Sequence, residues 1–269
     1  MLAALVDFLT PQRCLGCGVP GEALCGLCLA PEPARRVPEP APEGLPDCWS
    51  AGAYEGPLRQ AILACKERGR TTLTHPLGQA LAYVLTHALP AAPPSALPAG
   101  SPARRAALPS ALPSALPASQ PPPVRSGHPV GPGGLAGAPP LDPRALDGGL
   151  TLVPVPSARR AVRGRGHDPV AALAAHAARA LRAHGWRVDA RQALTQTRRV
   201  ADQAGLAAGS RAANLAGSLR AIRPVTGRVV LVDDVVTTGA SLAEAARALR
   251  ASGAEARLAV TLAATRRRS

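Results

Sequence analysis

The chain has 269 residues, a hydrophobic content of 46% and a formal net charge of +14. This length predicts one or two domains, and no run of about 18 apolar residues indicates a membrane-spanning helix. The opening sequence, MLAALVDFLTPQRC, has no basic leader, so we expect no signal peptide and a cytoplasmic protein that meets the inner face of the membrane only through partners.

The positive charge is unevenly distributed. Residues 150–269 hold 20 basic and 7 acidic residues, whereas residues 1–89 hold 7 and 8. A basic half of this kind suits a polyanion such as a nucleotide or DNA. Lys66 is the only lysine, however, so the arginine excess equally fits a coding bias and a well-solvated surface. Aromatic residues make up 2% of the chain, too few for a base-stacking platform.

Two Cys-x-x-Cys pairs, separated by seven residues, lie near the N-terminus. Four thiolates from two tight turns form a closed tetrahedral site, which is the structural type of zinc site. Disulfides are the alternative, but nothing in the sequence indicates export to an oxidising compartment. The pattern favours structural zinc over disulfides. The predicted ligands are Cys14, Cys17, Cys25 and Cys28.

The chain up to residue 89 then predicts a linker, one strand and two helices. Residues 31–46 are rich in proline and are predicted to be a linker, and residues 49–54 a strand. One helix is predicted to open after Tyr54 and to end near Lys66, and a second over residues 75–89. A single lysine at a helix end makes either a specific contact or a favourable interaction with the helix dipole.

Residues 90–149 differ in composition from the rest. They contain sixteen prolines and eight glycines, so they cannot bury enough apolar surface to offset the entropy of ordering. We predict a disordered insertion within a domain formed by residues 47–89 and 150–269, because a long loop costs little more to close than a short one. Residues 1–46 form a separate N-terminal part in this division.

Alternating element signals resume after the insertion. Residues 151–156, TLVPVP, predict a buried strand that ends at a turn, followed by an arginine-rich segment. A helix is predicted over residues 169–183, a short strand over 192–194 and a further strand over 256–263. Residues 210–215 are either a recognition segment or a core helix.

Residues 229–241, VVLVDDVVTTGAS, carry the strongest signal. Four apolar residues predict a strand buried on both faces that ends at Asp233 and Asp234. A small hydroxyl-rich loop then leads into a helix, with Ser241 and Glu244 as an expected capping box and Gly253 just past the end. The start of a helix binds anions, whereas two carboxylates repel phosphate and suit sugar hydroxyls or a metal that carries a polyphosphate. This combination predicts phosphoribosyl pyrophosphate (PRPP) as the ligand.

The motif resembles that of the type I phosphoribosyltransferases. The resemblance implies an α/β fold with a parallel sheet flanked by helices, and Mg²⁺ bound with PRPP. It also implies that Asp233 and Asp234 are the catalytic residues and hold the ribose hydroxyls. The 5′-phosphate loop would be Thr237, Thr238, Gly239, Ala240 and Ser241, and the diphosphate loop would involve Val155, Pro156, Ser157, Arg163, Arg165 and Lys66.

The order of motifs along the whole chain resembles the ComF family. These motifs are the cysteine knuckle, Tyr-x-Gly-x-Leu with a downstream lysine, VPVP, Arg-x-Arg-Gly, and Gln-x-x-Leu-x4-Arg-x-x-Asn before the acidic motif. His167, Asp168 and Pro169 depart from the family pattern after Arg-Gly. The resemblance implies support of DNA uptake in natural competence. Three functions are open: a phosphoribosyltransferase with an unidentified acceptor, a PRPP- or nucleotide-binding regulator without turnover, and a competence factor that binds single-stranded DNA or a helicase.

Overall fold

The computed structural model describes residues 12–91, 149–157, 162, 166–197 and 215–265, without the side chains of residues 90 and 91. Nearly all of the predicted insertion at 90–149 lies outside these residues, as do Arg163, Arg165 and most of residues 210–215. The predicted division into domains at residues 46 and 90 stays a prediction.

The described part before the insertion confirms one strand and two helices. The strand and the second helix begin slightly earlier than predicted. The predicted linker at 31–46 is only partly correct, because a short strand within it joins the sheet. The elements are α1 (Gly26–Leu29), β1 (Ala34–Arg35), β2 (Asp47–Ala53), α2 (Gly56–Lys66), a 3₁₀ turn (Thr71–Leu73) and α3 (Thr74–Ala91).

The described part after the insertion confirms the predicted helix at 169–183. It also confirms the strands predicted at 151–156 and 256–263. Two strands of three residues each were not predicted, and the strand expected at 192–194 begins at Leu194. The elements are β3 (Leu150–Pro154), α4 (Pro169–Ala183), β4 (Val188–Ala190), β5 (Leu194–Gln196), β6 (Leu219–Ala221), β7 (Arg228–Val236), α5 (Ala240–Arg250) and β8 (Ala256–Ala264).

Six strands form one sheet in the order β1-β2-β8-β7-β3-β4. All neighbours are parallel except β1, which runs antiparallel to β2 at the edge. Strands β5 and β6 form a separate antiparallel pair. The fold is therefore α/β with a mostly parallel sheet, as the sequence predicted.

Burial of β7 on both faces explains its unbroken apolar run. Val230 and Val232 belong to the core on the side of α3 and α4, whereas Leu231 belongs to the core on the side of α5. Successive side chains of a strand point to opposite faces, so a central strand covered on both sides needs apolar residues at every position. This places the end of β7, where the acidic pair lies, at the middle of the sheet.

Among the described residues, no helix is long and apolar enough to cross a membrane.

A buried carboxylate attaches the β5–β6 pair to α5. The Glu244 Oε1 atom accepts a hydrogen bond from the Leu219 N–H at 3.0 Å, and the Arg247 guanidinium donates to the Leu219 carbonyl at 2.9 Å. Arg247 Nε also donates to Glu244 Oε2 at 2.7 Å. The predicted capping box is therefore wrong: Glu244 faces β6, and α5 starts at Ala240 after Gly239 with no side-chain cap.

We expect Glu244→Gln to destabilise the protein by about 1–3 kcal/mol at pH 7, because it removes a buried charge-assisted contact. Burial tends to raise the pKa of Glu244, but hydrogen bonds from Arg247 and Leu219 outweigh burial and lower the pKa. A lowered carboxyl pKa stabilises the fold above the unfolded-state pKa, and this contribution is lost as pH falls through the folded-state pKa. Urea unfolding of the wild type and of Glu244→Gln should show that their difference in free energy of unfolding is smaller in acid than at pH 7.

Glu255→Gln is the matched control, since Glu255 is an exposed carboxylate whose partner, Arg257, is also exposed. Its effect at pH 7 should stay within about 0.5 kcal/mol. Equal effects of the two substitutions would contradict the role assigned to Glu244.

Candidate functional site

The acidic pair lies within β7 and not after it, which corrects the predicted strand end. β7 continues to Val236 because its pairing with β8 continues, with Asp233 opposite Thr261 and Val235 opposite Ala263. Neighbouring residues of a strand point to opposite faces. The two aspartates consequently have different surroundings: Asp234 is buried and Asp233 is half-buried.

Asp234 forms an ion pair with Lys66, the last residue of α2. The Lys66 ammonium lies 2.8 Å from Asp234 Oδ2 and 3.2 Å from Oδ1, and the Asp234 side chain is only 6% exposed. Burial lowers the pKa of Lys66, but the Asp234 carboxylate more than offsets burial and raises it. Of the two alternatives for Lys66, the structure shows the specific contact, and its partner is the acidic pair.

Asp233 lies beside the same ion pair without sharing it. Its Oδ1 accepts a hydrogen bond from the Asp234 N–H at 2.8 Å. Burial and the adjacent Asp234 carboxylate raise the pKa of Asp233 well above its usual range, and Lys66 only partly offsets them. Because Lys66 neutralises one of the two carboxylates, the pair is better suited to hydroxyl groups than to a divalent cation.

The loop after β7 faces the same cleft as Asp233. Gly239 has a φ of +76° and lets the chain turn into α5, which begins at Ala240. The Thr238 hydroxyl accepts a long hydrogen bond of 3.5 Å from the Ala240 N–H. The cleft has a volume of about 210 Å³, and its walls include Asp233, Thr237, Thr238, Gly239, Ala240 and Ser241. The structure thus brings one acidic residue and all five predicted loop residues together.

Two residues of the segment between the cysteine cluster and β2 lie behind this loop. A Cβ atom at Gly239 would lie 2.9 Å from Leu45 Cδ1 and 3.4 Å from Pro38 Cγ. Position 239 therefore needs glycine for its backbone conformation and also for lack of space. The predicted linker supports the loop, which the sequence did not indicate.

The predicted diphosphate loop is held beside β7. The Val155 N–H donates to the Val232 carbonyl at 2.8 Å. Ser157 donates to Asp168 twice, from its hydroxyl at 2.9 Å and from its backbone N–H at 3.2 Å. Asp168 also caps α4. Val155, Pro156 and Ser157 thus form a turn fixed to both β7 and α4, whereas Arg163 and Arg165 lie outside the described residues.

A larger cavity, of about 750 Å³, borders this turn. Its walls include Pro156 and Ser157, the connection from β4 to β5, and the β5–β6 pair. Two arginines line it, Arg191 and Arg223, and neither was among the predicted site residues. Nothing in the sequence distinguishes these two from the other arginines of the basic half, because β4 and β6 are too short to be recognised.

The four N-terminal cysteines form a cluster in which all sulfur atoms lie within 4.8 Å of one another. The Cys14 and Cys25 sulfurs are 3.6 Å apart, and those of Cys17 and Cys25 are 3.7 Å apart. A tetrahedron with metal–sulfur bonds of about 2.3 Å has edges of about 3.8 Å. All four are free thiols in this structure, and they fit a metal such as zinc.

The local environment of Cys14 favours its charged form. Burial opposes ionisation, but backbone N–H groups, that of Cys25 foremost, outweigh burial and lower the pKa of the Cys14 thiol. Gly16 brings the two turns together, since a Cβ atom there would lie 2.6 Å from the Cys28 sulfur and 3.1 Å from Pro57 Cβ. The cluster is thereby in contact with the start of α2, the helix that ends at Lys66.

Comparison with known proteins finds a family match and similar curated proteins. Residues 171–269 match the family described as phosphoribosyl transferase domain, and the matched region contains both aspartates and the loop. The "DNA utilization protein YhgH" of Escherichia coli K12 is 48% identical over 66 residues, which are 24% of this chain and 29% of that protein. The protein of the same name from Shigella flexneri is 48% identical over 64 residues, or 23% and 28%.

These matches support the ComF family assignment. The chain spans less than a third of the length of the curated relatives it matches. The family match covers 99 of the 269 residues, and the cysteine cluster, α2, β3 and the turn at 155–157 lie before it.

We expect Gly239→Ala to destabilise the protein more than Gly253→Ala. Both glycines have positive φ, +76° and +84°, so alanine costs about 1–2 kcal/mol at either position. Only at position 239 would the new methyl group also meet neighbouring side chains. Thermal unfolding of both variants should show a clearly lower midpoint for Gly239→Ala. Equal midpoints would mean that Leu45 and Pro38 do not support the loop.

Proposed function

We propose that this protein binds PRPP through a phosphoribosyltransferase-family site of the ComF type and supports DNA uptake in natural competence. The observation that carries the proposal is the cleft in which Asp233 faces the loop at the start of α5. A carboxylate for sugar hydroxyls and helix N–H groups for a phosphate lie in one space, inside the region that matches the phosphoribosyl transferase domain.

In the proposed binding mode, the 5′-phosphate lies on the loop from Thr237 to Ser241 and the ribose on the acidic pair. Phosphate binding there uses backbone N–H groups at the positive end of the α5 dipole. Asp233 accepts hydrogen bonds from the ribose hydroxyls, while Asp234 is held by Lys66. We assign Lys66 to positioning the acidic pair, in place of the diphosphate contact expected from the sequence.

The diphosphate is proposed to lie at the turn Val155–Pro156–Ser157, with Arg163 and Arg165 as further contacts. Arginine is suited to this role because its planar guanidinium binds phosphate oxygens in pairs. Mg²⁺ bound to the diphosphate would supply charge stabilisation as the leaving group departs. The residues of the chain hold the ribose and its phosphates in place, and the acceptor attacks the anomeric carbon.

We expect the double substitution Asp233→Asn, Asp234→Asn to abolish PRPP binding, because the amide at position 233 loses the charge-assisted hydrogen bonds to the ribose and the amide at position 234 loses the ion pair with Lys66. Calorimetric titration of PRPP into the wild type, with and without Mg²⁺, provides the reference. Glu255→Gln, which removes an exposed carboxylate at the start of β8, should bind like the wild type. Unchanged affinity in a folded double variant would refute the assignment.

Turnover separates an enzyme from a regulator with the same site. A transferase releases diphosphate from PRPP when its acceptor is present, whereas a PRPP- or nucleotide-binding regulator holds PRPP without release. Measurement of diphosphate release with wild-type protein distinguishes the two, with the double aspartate variant as background.

A second candidate function is binding of single-stranded DNA or a competence helicase without turnover. The specific observations in its favour are the name of the relatives, DNA utilization protein, and the 20 basic against 7 acidic residues in 150–269. DNA binding through this basic half would weaken steeply as salt concentration rises, because each phosphate contact releases counterions.

We further propose that the cysteine cluster holds one structural zinc ion. The four sulfurs fit a closed tetrahedral site, and their contact with the start of α2 assigns the metal a folding role. Purified protein should contain about one zinc per chain, and removal of the metal should lower the unfolding temperature. Cys17→Ser should lose the zinc, whereas Cys48→Ala, which removes a buried cysteine outside the cluster, should keep it. Full zinc content in Cys17→Ser would contradict the four-ligand site.

A further inference from the structure

Helix α2 connects the cysteine cluster to the acidic pair. Its second residue, Pro57, lies beside the cluster: a Cβ atom at Gly16 would lie 3.1 Å from Pro57 Cβ and 2.6 Å from the Cys28 sulfur. Its last residue, Lys66, forms the ion pair with Asp234. Eleven residues make a helix of about 16 Å. The two sites therefore lie at opposite ends of one short helix.

The start of α2 depends on packing. Among the described residues, no side chain caps it, and its first turn has no acidic residue to favour the helix dipole. A helix of this length is also marginally stable on its own in water. Its buried side chains, which include Leu58 and Ile62, belong to the same core as Cys14 and Leu24 of the segment that carries the cluster. That segment therefore supplies part of the support for α2.

The segment that carries the cluster, residues 12–30, has little regular structure of its own. Its described residues form one helix, α1, which has four residues. Three side chains of the segment are buried, those of Cys14, Ala23 and Leu24. A segment this small cannot build a sufficient core, and such segments commonly become ordered only when they bind a metal ion. A metal ion in the cluster would thus also fix what packs against the segment, namely the start of α2.

The position of Lys66 determines the charge of the acidic pair. The Lys66 ammonium lies 2.8 Å from Asp234 Oδ2, so a shift of α2 by about 1 Å would lengthen this contact beyond a hydrogen bond. Asp234 would then be a buried carboxylate without a cation, next to Asp233. One more uncompensated carboxylate repels a ligand that carries several phosphates. Any device that moves the end of α2 therefore changes the affinity of the site for such a ligand.

We propose that the cysteine cluster regulates the acidic site: a metal ion bound by the four sulfurs fixes the start of α2, and α2 then holds Lys66 on Asp234. Loss of the metal displaces α2 and releases the lysine. Lys66 is thus a positioning residue, and the site responds to metal supply. The effect on ligand affinity rests on the proposed function, whereas the coupling of the cluster to Lys66 does not.

The first test uses the fact that Lys66 is the only lysine of the chain. Burial lowers the pKa of Lys66, but Asp234 more than offsets burial and raises it, so little of the reactive neutral amine is present. The full chain, metal-loaded or metal-depleted, is treated with acetic anhydride, and mass spectrometry of its peptides measures acetylation of Lys66. We expect acetylation to be about tenfold faster without metal, because a lysine released from Asp234 has a lower pKa.

Two glycines of the segment provide a matched pair of variants. Gly16→Ala places a methyl group against both the Cys28 sulfur and Pro57, whereas a Cβ atom at Gly26 would have nothing within 4 Å. We expect Gly16→Ala to speed acetylation of Lys66 and to weaken PRPP binding by about 5- to 150-fold, the usual range of coupling between two sites. Gly26→Ala should behave like the wild type in both measurements. PRPP should in turn tighten metal binding, because coupling is reciprocal.

Hydrogen exchange shows whether the effect is local. We expect metal removal to increase exchange in residues 12–30 and in α2, while β7 and β8 stay protected. Equal acetylation of Lys66 with and without metal would overturn the proposal, and so would equal acetylation of the two glycine variants. Loss of protection throughout the sheet would also overturn it, since the metal would then serve folding alone. If PRPP binds neither form of the protein, the proposed function fails, while acetylation and hydrogen exchange still decide the coupling.

Discussion

The ion pair between Lys66 and Asp234 is the contact on which the acidic site depends. A carboxylate buried at the middle of a sheet is strongly unfavourable unless it is paired, and leaving it unpaired costs several kcal/mol. Its partner lies at the end of α2, on the other side of the long insertion in sequence. The site is therefore assembled from both parts of the chain. The pair also makes the two carboxylates different: Asp234 is neutralised by Lys66, whereas Asp233 lines the cleft.

The sequence predicted the elements whose signals are long and local. The helix at 169–183 has an apolar face along its whole length and Asp168 as a cap, and both features are visible in the sequence. The end of β7 was predicted wrongly, because carboxylates normally end a buried strand and the compensating lysine lies 168 positions away. The predicted capping box is wrong for the same reason, namely a partner that is distant in sequence. Glu244 has the right spacing from Ser241, but a three-residue strand that the sequence does not reveal provides stronger partners.

The candidate sites likewise divide into those with a local sequence signal and those formed by long-range contacts. Spacing alone identified the four cysteines and the loop after β7, because each group is contiguous in sequence and its chemistry requires those residue types. Arg191 and Arg223 come together only through the pairing of β5 with β6, so no local pattern points to them. The support of Gly239 by Leu45 is likewise a long-range packing contact.

The strand order has a consequence for how the chain folds during synthesis. β8 is the last strand described, yet it lies between β2, which is made early, and β7. Until β8 is available, β2 has only the two-residue β1 as a neighbour, and its other edge exposes unpaired backbone groups. β8 begins at Ala256, about 200 residues after the end of β2. Chain synthesis adds roughly 5–20 residues per second, so the incomplete sheet persists for about 10–40 seconds. The interval between the synthesis of β2 and β8 is thus when this protein is most exposed to misassociation.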